Sequence, residues 1–372
     1  MIREKIKNAK RLVIKVGSSL VTNNGLGLHH DRILHWVEQI SCLHGQGKQV
    51  VLVSSGAVAE GVSRLGLIKR PEEMHLQQAA AAVGQMGLVQ IYESFFKNHD
   101  VHTAQILLSH EDLSDRTRYL NARTTFTTLL DMGVIPVVNE NDTVATAELC
   151  FGDNDTLAAL VANLISAEAM IILTDQDGVY EEDPRLNTSS KLIPEASAND
   201  DSLFRVAGEG NSLGRGGMLT KISAAKLAAR SGTDTVIANG EVSDVLLRFS
   251  AGELIGSLLY SDSEPIAARK QWLAGQLAVK GTLQLDSGAI RVLKNSGTSL
   301  LAVGIEIVEG QFSRGDVVAC IDCEGNEVAR GLVNYDYKEV NTIRGKSSQK
   351  ITDLLGYSGD EEIIHRDNLV LL

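Results

Sequence analysis

The run RLVIKVGSSLV, Arg11 to Val21, is an unbroken series of branched apolar residues with one lysine, closing on a glycine and two serines. QVVLVSSGAVAEGV, Gln49 to Val62, repeats the pattern: apolar run, small polar turn, helix-forming stretch. A strand with one wet face alternates polar and apolar residues. A continuously apolar one is buried on both faces, which points to a parallel sheet with helices on each side. VHTAQILLS (Val101 to Ser109), VIPVVNEND (Val134 to Asp142), AMIILTDQDGVY (Ala169 to Tyr180) and TDTVIANG (Thr233 to Gly240) extend the series, with helical segments between them. We therefore expect an α/β fold, a doubly wound, mainly parallel sheet sandwiched by helices. Pro71 to Lys97 reads as a long helix or helix pair, with Pro71 in its first turn and Glu72 and Glu73 just inside.

The texture changes near Gln276. GTLQLDSGAIRVL, SLLAVGIEIVEG, FSRGDVVACIDCEG and NEVARGLVNYD read as short strands and turns, a small all-β barrel or sandwich. The expected division is residues 1–260, a linker over 261–275, and 276–372. Glu241 to Gly275 is expected to be helical and connecting. Cys320 and Cys323 have the spacing of half a zinc site, but no second pair follows, so a hairpin turning at Glu324 to Asn326 is expected instead.

Composition excludes several classes. At 372 residues and 44% hydrophobic the chain suits two folded domains rather than a disordered one. A net charge of −12 disfavours a surface built as a nucleic-acid grip. Four cysteines are too few to staple a chain of this size. TLAALVANLISAEAMIILT, Thr156 to Thr174, approaches the length of a membrane span. It contains Asn163 and Glu168, however, and reads better as a helix followed by a buried strand. No signal peptide and no membrane span are expected, so the compartment expected is the cytoplasm.

In parallel sheets ligands bind beyond the carboxyl ends of the strands. The polar residues collect there: Lys15, Ser54 and Ser55, Asn139 to Asp142, and Thr174 with Asp175. Lys15 either snorkels from a strand end or meets a partner or substrate. Ser55 either caps a helix or holds an anion at its N-terminus. Asp153 and Asp155 could cap the helix they open, yet the two acidic turns carry more polar side chains than capping needs. GRGGMLTKISAAKLAARSG, Gly214 to Gly232, is a glycine loop leading into a helix, an arrangement suited to phosphate. Its spacing is not that of a P-loop, in which Lys-Ser/Thr directly follows the second glycine. Lys221 sits in the first helical turn, where the helix dipole disfavours a cation unless an anion is bound.

Taken in order, VIKVGSS, VLVSSGAVAEG, NENDTVA, GDNDTLAAL, LTDQDGVYEEDPR and GRGGMLTK resemble the amino acid kinase family, and the match spans nearly the whole chain. The tail resembles a PUA domain, a small β-fold also found in RNA-modifying enzymes. The resemblance implies phosphorylation of the side-chain carboxylate of free glutamate by ATP, opening proline biosynthesis. It implies that Lys15 and Lys221 flank the transferring phosphoryl group, with Asp155 organising them. Ser55, Asp142 and Asn154 would hold glutamate. Lys15, Thr174, Asp175, Arg215, Gly216, Gly217, Met218, Leu219, Thr220 and Lys221 would hold ATP. Arg215 stands where the family commonly has a small residue such as threonine.

The resemblance further implies Mg²⁺ carried with ATP, inhibition by proline through Asp112 to Thr125 (read as a loop), a homotetramer, and hand-over of the product to glutamate-5-semialdehyde dehydrogenase. The chemistry agrees: a glutamate side chain, with a pKa of about 4.3, is already ionised at neutral pH and needs no general base. Accordingly, no histidine falls in a motif. The competing readings are a sibling kinase acting on another carboxylate, a carbamate or a nucleoside monophosphate, and RNA binding by the tail. The tail carries ten Lys or Arg against fourteen Asp or Glu, poor electrostatics for a phosphate backbone.

Overall fold

The computed structural model describes residues 2–23, 25, 27–144, 153–184, 186–187, 189–206, 217–262, 279–296, 298–357 and 359–371. The chain divides into two compact units, Met1–Ile266 and Ala267–Leu372.

The first unit is built on β1 (Arg11–Val16), β2 (Gln49–Ser54), β3 (Thr103–Leu108), β4 (Ile135–Glu140), β5 (Ala169–Thr174), β6 (Glu195–Ser197), β7 (Asp234–Asn239) and β8 (Ser257–Tyr260). They form one sheet in the order β3-β4-β2-β1-β5-β7-β8-β6, parallel at every pairing except β7 with β8. The helices are α1 (Ile2–Asn8), α2 (Ser18–Val21), α3 (His30–Gly45), α4 (Ala57–Arg64), α5 (Met74–Lys97), α6 (His110–Ser114), α7 (Arg116–Asp131), α8 (Asn154–Ile165), α9 (Ser202–Val206), α10 (Met218–Ala229) and α11 (Val245–Ala251).

Two cores flank the sheet, and the two-residue period of a strand assigns each side chain to one of them. Leu12, Ile14 and Val16 of β1 pack with Trp36 and Val37 of α3 and Leu88 of α5. Val13 packs on the other side with Leu157 and Val161 of α8 and Ile222 and Ala225 of α10. Lys15 lies two residues beyond Val13 on that second face, so its side chain leaves the strand where the core ends.

Helices α4 and α5 cross with their backbones touching. A Cβ on Gly61 or Gly84 would overlap the carbonyl oxygen of Ala80 or Ala57 respectively. This crossing seats the N-terminus of α4, with Gly56 in a left-handed conformation (φ 115°), directly after β2.

Several expectations need correcting. Pro71 is not in a first helical turn: α5 begins at Met74, after an extended Glu73 as N-cap, with no acid in its first turn. Asp112 to Thr125 is not a loop. It is the end of α6 and most of α7, started by a capping box at Ser109 and by Asp115, whose side chain accepts from the Arg118 N–H at 2.8 Å. Ser257–Tyr260, expected to be helical and connecting, is a buried strand of four residues, too short to show a period.

In the second unit five strands, Gly281–Leu285, Ile305–Gly310, Val317–Ile321, Glu327–Leu332 and Leu369–Leu371, form one sheet, and Leu300–Leu301 pairs with Glu362–Ile364. Ser287–Ser296, beginning inside a stretch expected to hold short strands and turns, is a helix: Asp286 accepts from the Ala289 N–H, and Ala289, Ile290 and Leu293 reach the core at helical spacing. The hairpin after Ile321 turns on Asp322 to Asn326, with Gly325 at φ 86°. It leaves Cys320 buried and Cys323 exposed, and burial pushes the Cys320 thiol up to about 12. Among the described residues no helix is long and apolar enough to cross a membrane.

Candidate functional site

The carboxyl ends of β1, β2 and β4 and the start of α8 meet over one cleft of about 720 Å³. Lys15, Ser18, Ser19, Ser55, Gly56, Asn139, Glu140, Asp142, Asp153 and Asn154 line it, with Lys69 and Arg70 also on its wall. Of the residues expected on the acceptor side, Ser55, Asp142 and Asn154 are therefore brought together, and Lys15 joins them.

Beside Lys15, which lines the cleft, Asp155 binds two lysines. Lys15 Nζ stands 2.5 Å from its Oδ1, and Lys221 Nζ stands 3.1 Å from its Oδ2. Thr220 Oγ1 donates to the same Oδ2 at 2.9 Å. Asp155 is fully buried and each lysine is 4% exposed. Burial alone pushes the Asp155 carboxyl up, but the two ammoniums outweigh it and hold the group below the ordinary carboxylate range. Burial pulls Lys15 down from its ordinary value; Asp155 opposes that and the neighbouring Lys221 reinforces it.

Asp153 and Asp155, similar in sequence, have separated roles. Asp153 is the N-cap of α8, accepting from the Thr156 N–H at 2.7 Å, while Asp155 turns inward to the lysines. The dipole penalty on Lys221 in the first turn of α10 is met by this carboxylate.

A second polar chain runs along the acceptor side. Asn154 Nδ2 donates to Ser55 Oγ at 2.8 Å and to Asn139 Oδ1 at 3.0 Å. Asn139 Nδ2 in turn donates to Gln85 Oε1 at 2.9 Å. One strand away, the buried Ser54 and Tyr92 hydroxyls share a hydrogen bond of 2.9 Å. Gln85 and Tyr92 went unnoticed in the sequence because both sit in an apolar helix. The signal available was two polar side chains seven residues apart, on one buried face of α5.

Thr174 ends β5, the neighbour of β1, and is buried; its hydroxyl donates to Asp175 Oδ1 at 3.0 Å. Neither residue lines the acceptor cleft. Gly217 caps α10, and Met218, Leu219, Thr220 and Lys221 form its first turn. Arg215 and Gly216 lie outside the described residues. Among the described residues no three His, Cys, Asp or Glu stand together to hold a metal ion.

Comparison with known proteins identifies the family. The amino acid kinase family model matches residues 10–239 and the PUA domain model residues 281–355. A glutamate 5-kinase of Nitrosospira multiformis is 58% identical over 99% of this chain and 99% of its own. A glutamate 5-kinase of Burkholderia ambifaria is 58% identical over the full length of both chains. A third, from Saccharophagus degradans, is 56% identical over 100% of this chain and 99% of its own. Among solved structures, a UMP kinase from Bacillus anthracis aligns with 68% of this chain and 97% of its own, at 17% identity and a TM-score of 0.48. The chain belongs to the amino acid kinase family, among the glutamate 5-kinases, and carries a PUA domain after its kinase domain.

Proposed function

We infer that the chain transfers the γ-phosphoryl group of ATP to the side-chain carboxylate of L-glutamate. The product is L-glutamyl 5-phosphate, and the reaction opens proline biosynthesis. The observation that carries this reading is the Lys15–Asp155–Lys221 cluster, whose Lys15 lines the cleft.

Phosphoryl transfer asks little covalent chemistry of a protein and much positioning and charge stabilisation. An ionised glutamate carboxylate oxygen forms the new bond to phosphorus while the bond to the ADP oxygen breaks. Lys15 and Lys221 would neutralise the equatorial oxygens, and Asp155 would hold the two ammoniums apart and oriented. Ser55, Asp142 and Asn154 would bind glutamate. Thr174, Asp175 and the segment from Gly217 to Lys221 would bind ATP, together with Arg215 and Gly216. Mg²⁺ would arrive bound to the nucleotide phosphates. Bound there, it would neutralise phosphate charge.

We place catalysis in residues 1–260, with 261–275 as a linker and 276–372 as the PUA domain. Proline inhibition acting through Asp112 to Thr125, a homotetramer in the cytoplasm, and delivery of the acyl phosphate to glutamate-5-semialdehyde dehydrogenase complete the proposal.

Hydroxylamine traps acyl phosphates as coloured hydroxamates. With ATP and Mg²⁺, hydroxamate and ADP are expected with glutamate and not with aspartate, N-acetylglutamate or UMP. ADP release with UMP and no hydroxamate would overturn the acceptor.

The pH profile offers a second check. Because Asp155 is held low, the acid limb of kcat/KM should follow the substrate carboxylate, near its pKa of about 4.3. Because Lys15 is pulled down, the alkaline limb should set in at a lower pH than an exposed lysine would give. An alkaline limb in the ordinary lysine range would contradict this assignment.

A further inference from the structure

We propose that Gln85 is a positioning residue for substrate recognition: acting through Asn139, it sets which ends of Asn154 and Ser55 face a bound amino acid. The proposal rests on the glutamate reading above. Gln85 is 8% exposed, belongs to α5, and does not line the cleft.

Its influence follows from the polarity of amides, each of which has one accepting and one donating end. Both N–H groups of Asn154 are used, one on Ser55 Oγ and one on Asn139 Oδ1. That leaves Asn154 Oδ1 as an acceptor on a residue of the cleft wall, the complement of an ammonium group. Ser55 Oγ accepts from Asn154, so its own O–H remains a donor, the complement of a carboxylate. An α-amino acid carries both groups.

This pattern holds only while Asn139 presents its oxygen to Asn154. Asn139 is 3% exposed, so its Nδ2 needs an acceptor on the far side, and Gln85 Oε1 supplies it. Without that acceptor, Asn139 gains by rotating its amide, which would set N–H against N–H at Asn154. Asn154 would then turn a donor towards the substrate ammonium.

The test compares Gln85→Met with Gln85→Glu. Methionine matches the shape and removes the acceptor; glutamate keeps an oxygen towards Asn139. In Gln85→Met the KM for glutamate should rise about tenfold, the scale of one hydrogen bond to a charged group. The KM for ATP should stay within about twofold and the melting temperature should be little changed. Preference for glutamate over glutarate, which lacks the ammonium, should narrow by a similar factor. Gln85→Glu should stay within about threefold of wild type on all three measures.

Two outcomes overturn the proposal: an unchanged glutamate KM and glutarate ratio in Gln85→Met, or greater harm from Gln85→Glu than from Gln85→Met, which would mean the chain runs with opposite polarity. The stabilisation of each variant by glutamate in a thermal melt reads the same comparison without turnover. Wild-type protein that is stabilised by glutamate yet forms no hydroxamate would sink the kinase reading alone. Wild-type protein showing neither would sink both.

Discussion

Asp155→Asn should lower kcat by about a hundredfold to a thousandfold, the range seen when one preorganised electrostatic group is removed from an active site. Asparagine is nearly the same size and can still accept from Thr220, so space and packing are kept. What disappears is the single full negative charge that two nearly buried ammoniums share at 2.5 and 3.1 Å. The two lysines then lose the carboxylate they share, and Lys15, already pulled down by burial and by Lys221, is driven further towards its neutral form. Both effects strike the charge proposed to face the transferring phosphoryl group.

The same substitution should destabilise the fold by about 3–5 kcal/mol, the range for removing one partner of a buried ion pair. Lys15→Met separates the two consequences. It should be as inactive as Asp155→Asn but clearly more stable, since one lysine and one carboxylate remain paired. The pH dependence has a definite sign. A carboxylate depressed in the folded state contributes stability above its unfolded pKa of about 3.9 and loses it as pH falls through the lower folded value. The stability gap between wild type and Asp155→Asn should therefore shrink on acidification. An Asp155→Asn enzyme within tenfold of wild type would sink the assigned role.

The sheet and the lysine cluster beside the cleft were legible because they rest on strong local signals. Unbroken apolar runs ending in Gly-Ser or Asn-Glu-Asn-Asp show both the buried strands and the edge where polar groups gather. Lys15 stood out as a charge in an apolar run, and Lys221 as a cation at the wrong end of a helix. Local pattern alone could not tell Asp153 from Asp155, because both are acids at one helix start; only the family resemblance singled out Asp155, and the direction of each side chain separates the cap from the ion pair. Gln85 was hidden because its partner, Asn139, is 54 positions away in the chain. The helix over Asp112 to Thr125 was mistaken for a loop because threonine, asparagine and aspartate favour turns locally; capping and the burial of Leu120, Phe126 and Leu130 override that preference. The helix Ser287–Ser296 was missed in the opposite way, since its small and apolar residues also read as alternation.

Gly84→Ala should destabilise the first unit by about 3 kcal/mol, at or beyond the upper end of ordinary overpacking. The added methyl would overlap the Ala57 carbonyl oxygen and crowd the Gly61 N–H, both backbone groups that no rotamer change can move aside. Gly61→Ala should behave alike, since its Cβ would overlap the Ala80 carbonyl. Gly87→Ala is the control. It lies one turn on in the same helix, but the nearest atoms its Cβ would meet are those of the Arg64 guanidinium at 2.6 Å, the end of a long exposed side chain that can move aside with its Glu60 partner. That change should cost less than about 1 kcal/mol, with alanine's better helix propensity offsetting part of it. For a unit of this size, 3 kcal/mol corresponds to a fall in melting temperature of roughly 6–12 °C. The effect should also reach the site. Separating α4 from α5 moves Gly56 and Ala57, which line the cleft, and shifts α5, which holds Gln85 against Asn139. Gly84→Ala protein that remains folded at low temperature should therefore show a raised KM for glutamate with the KM for ATP less affected. The account of the crossing would be falsified if Gly84→Ala and Gly87→Ala melted within a degree or two of each other, because only direct backbone contact distinguishes the two glycines.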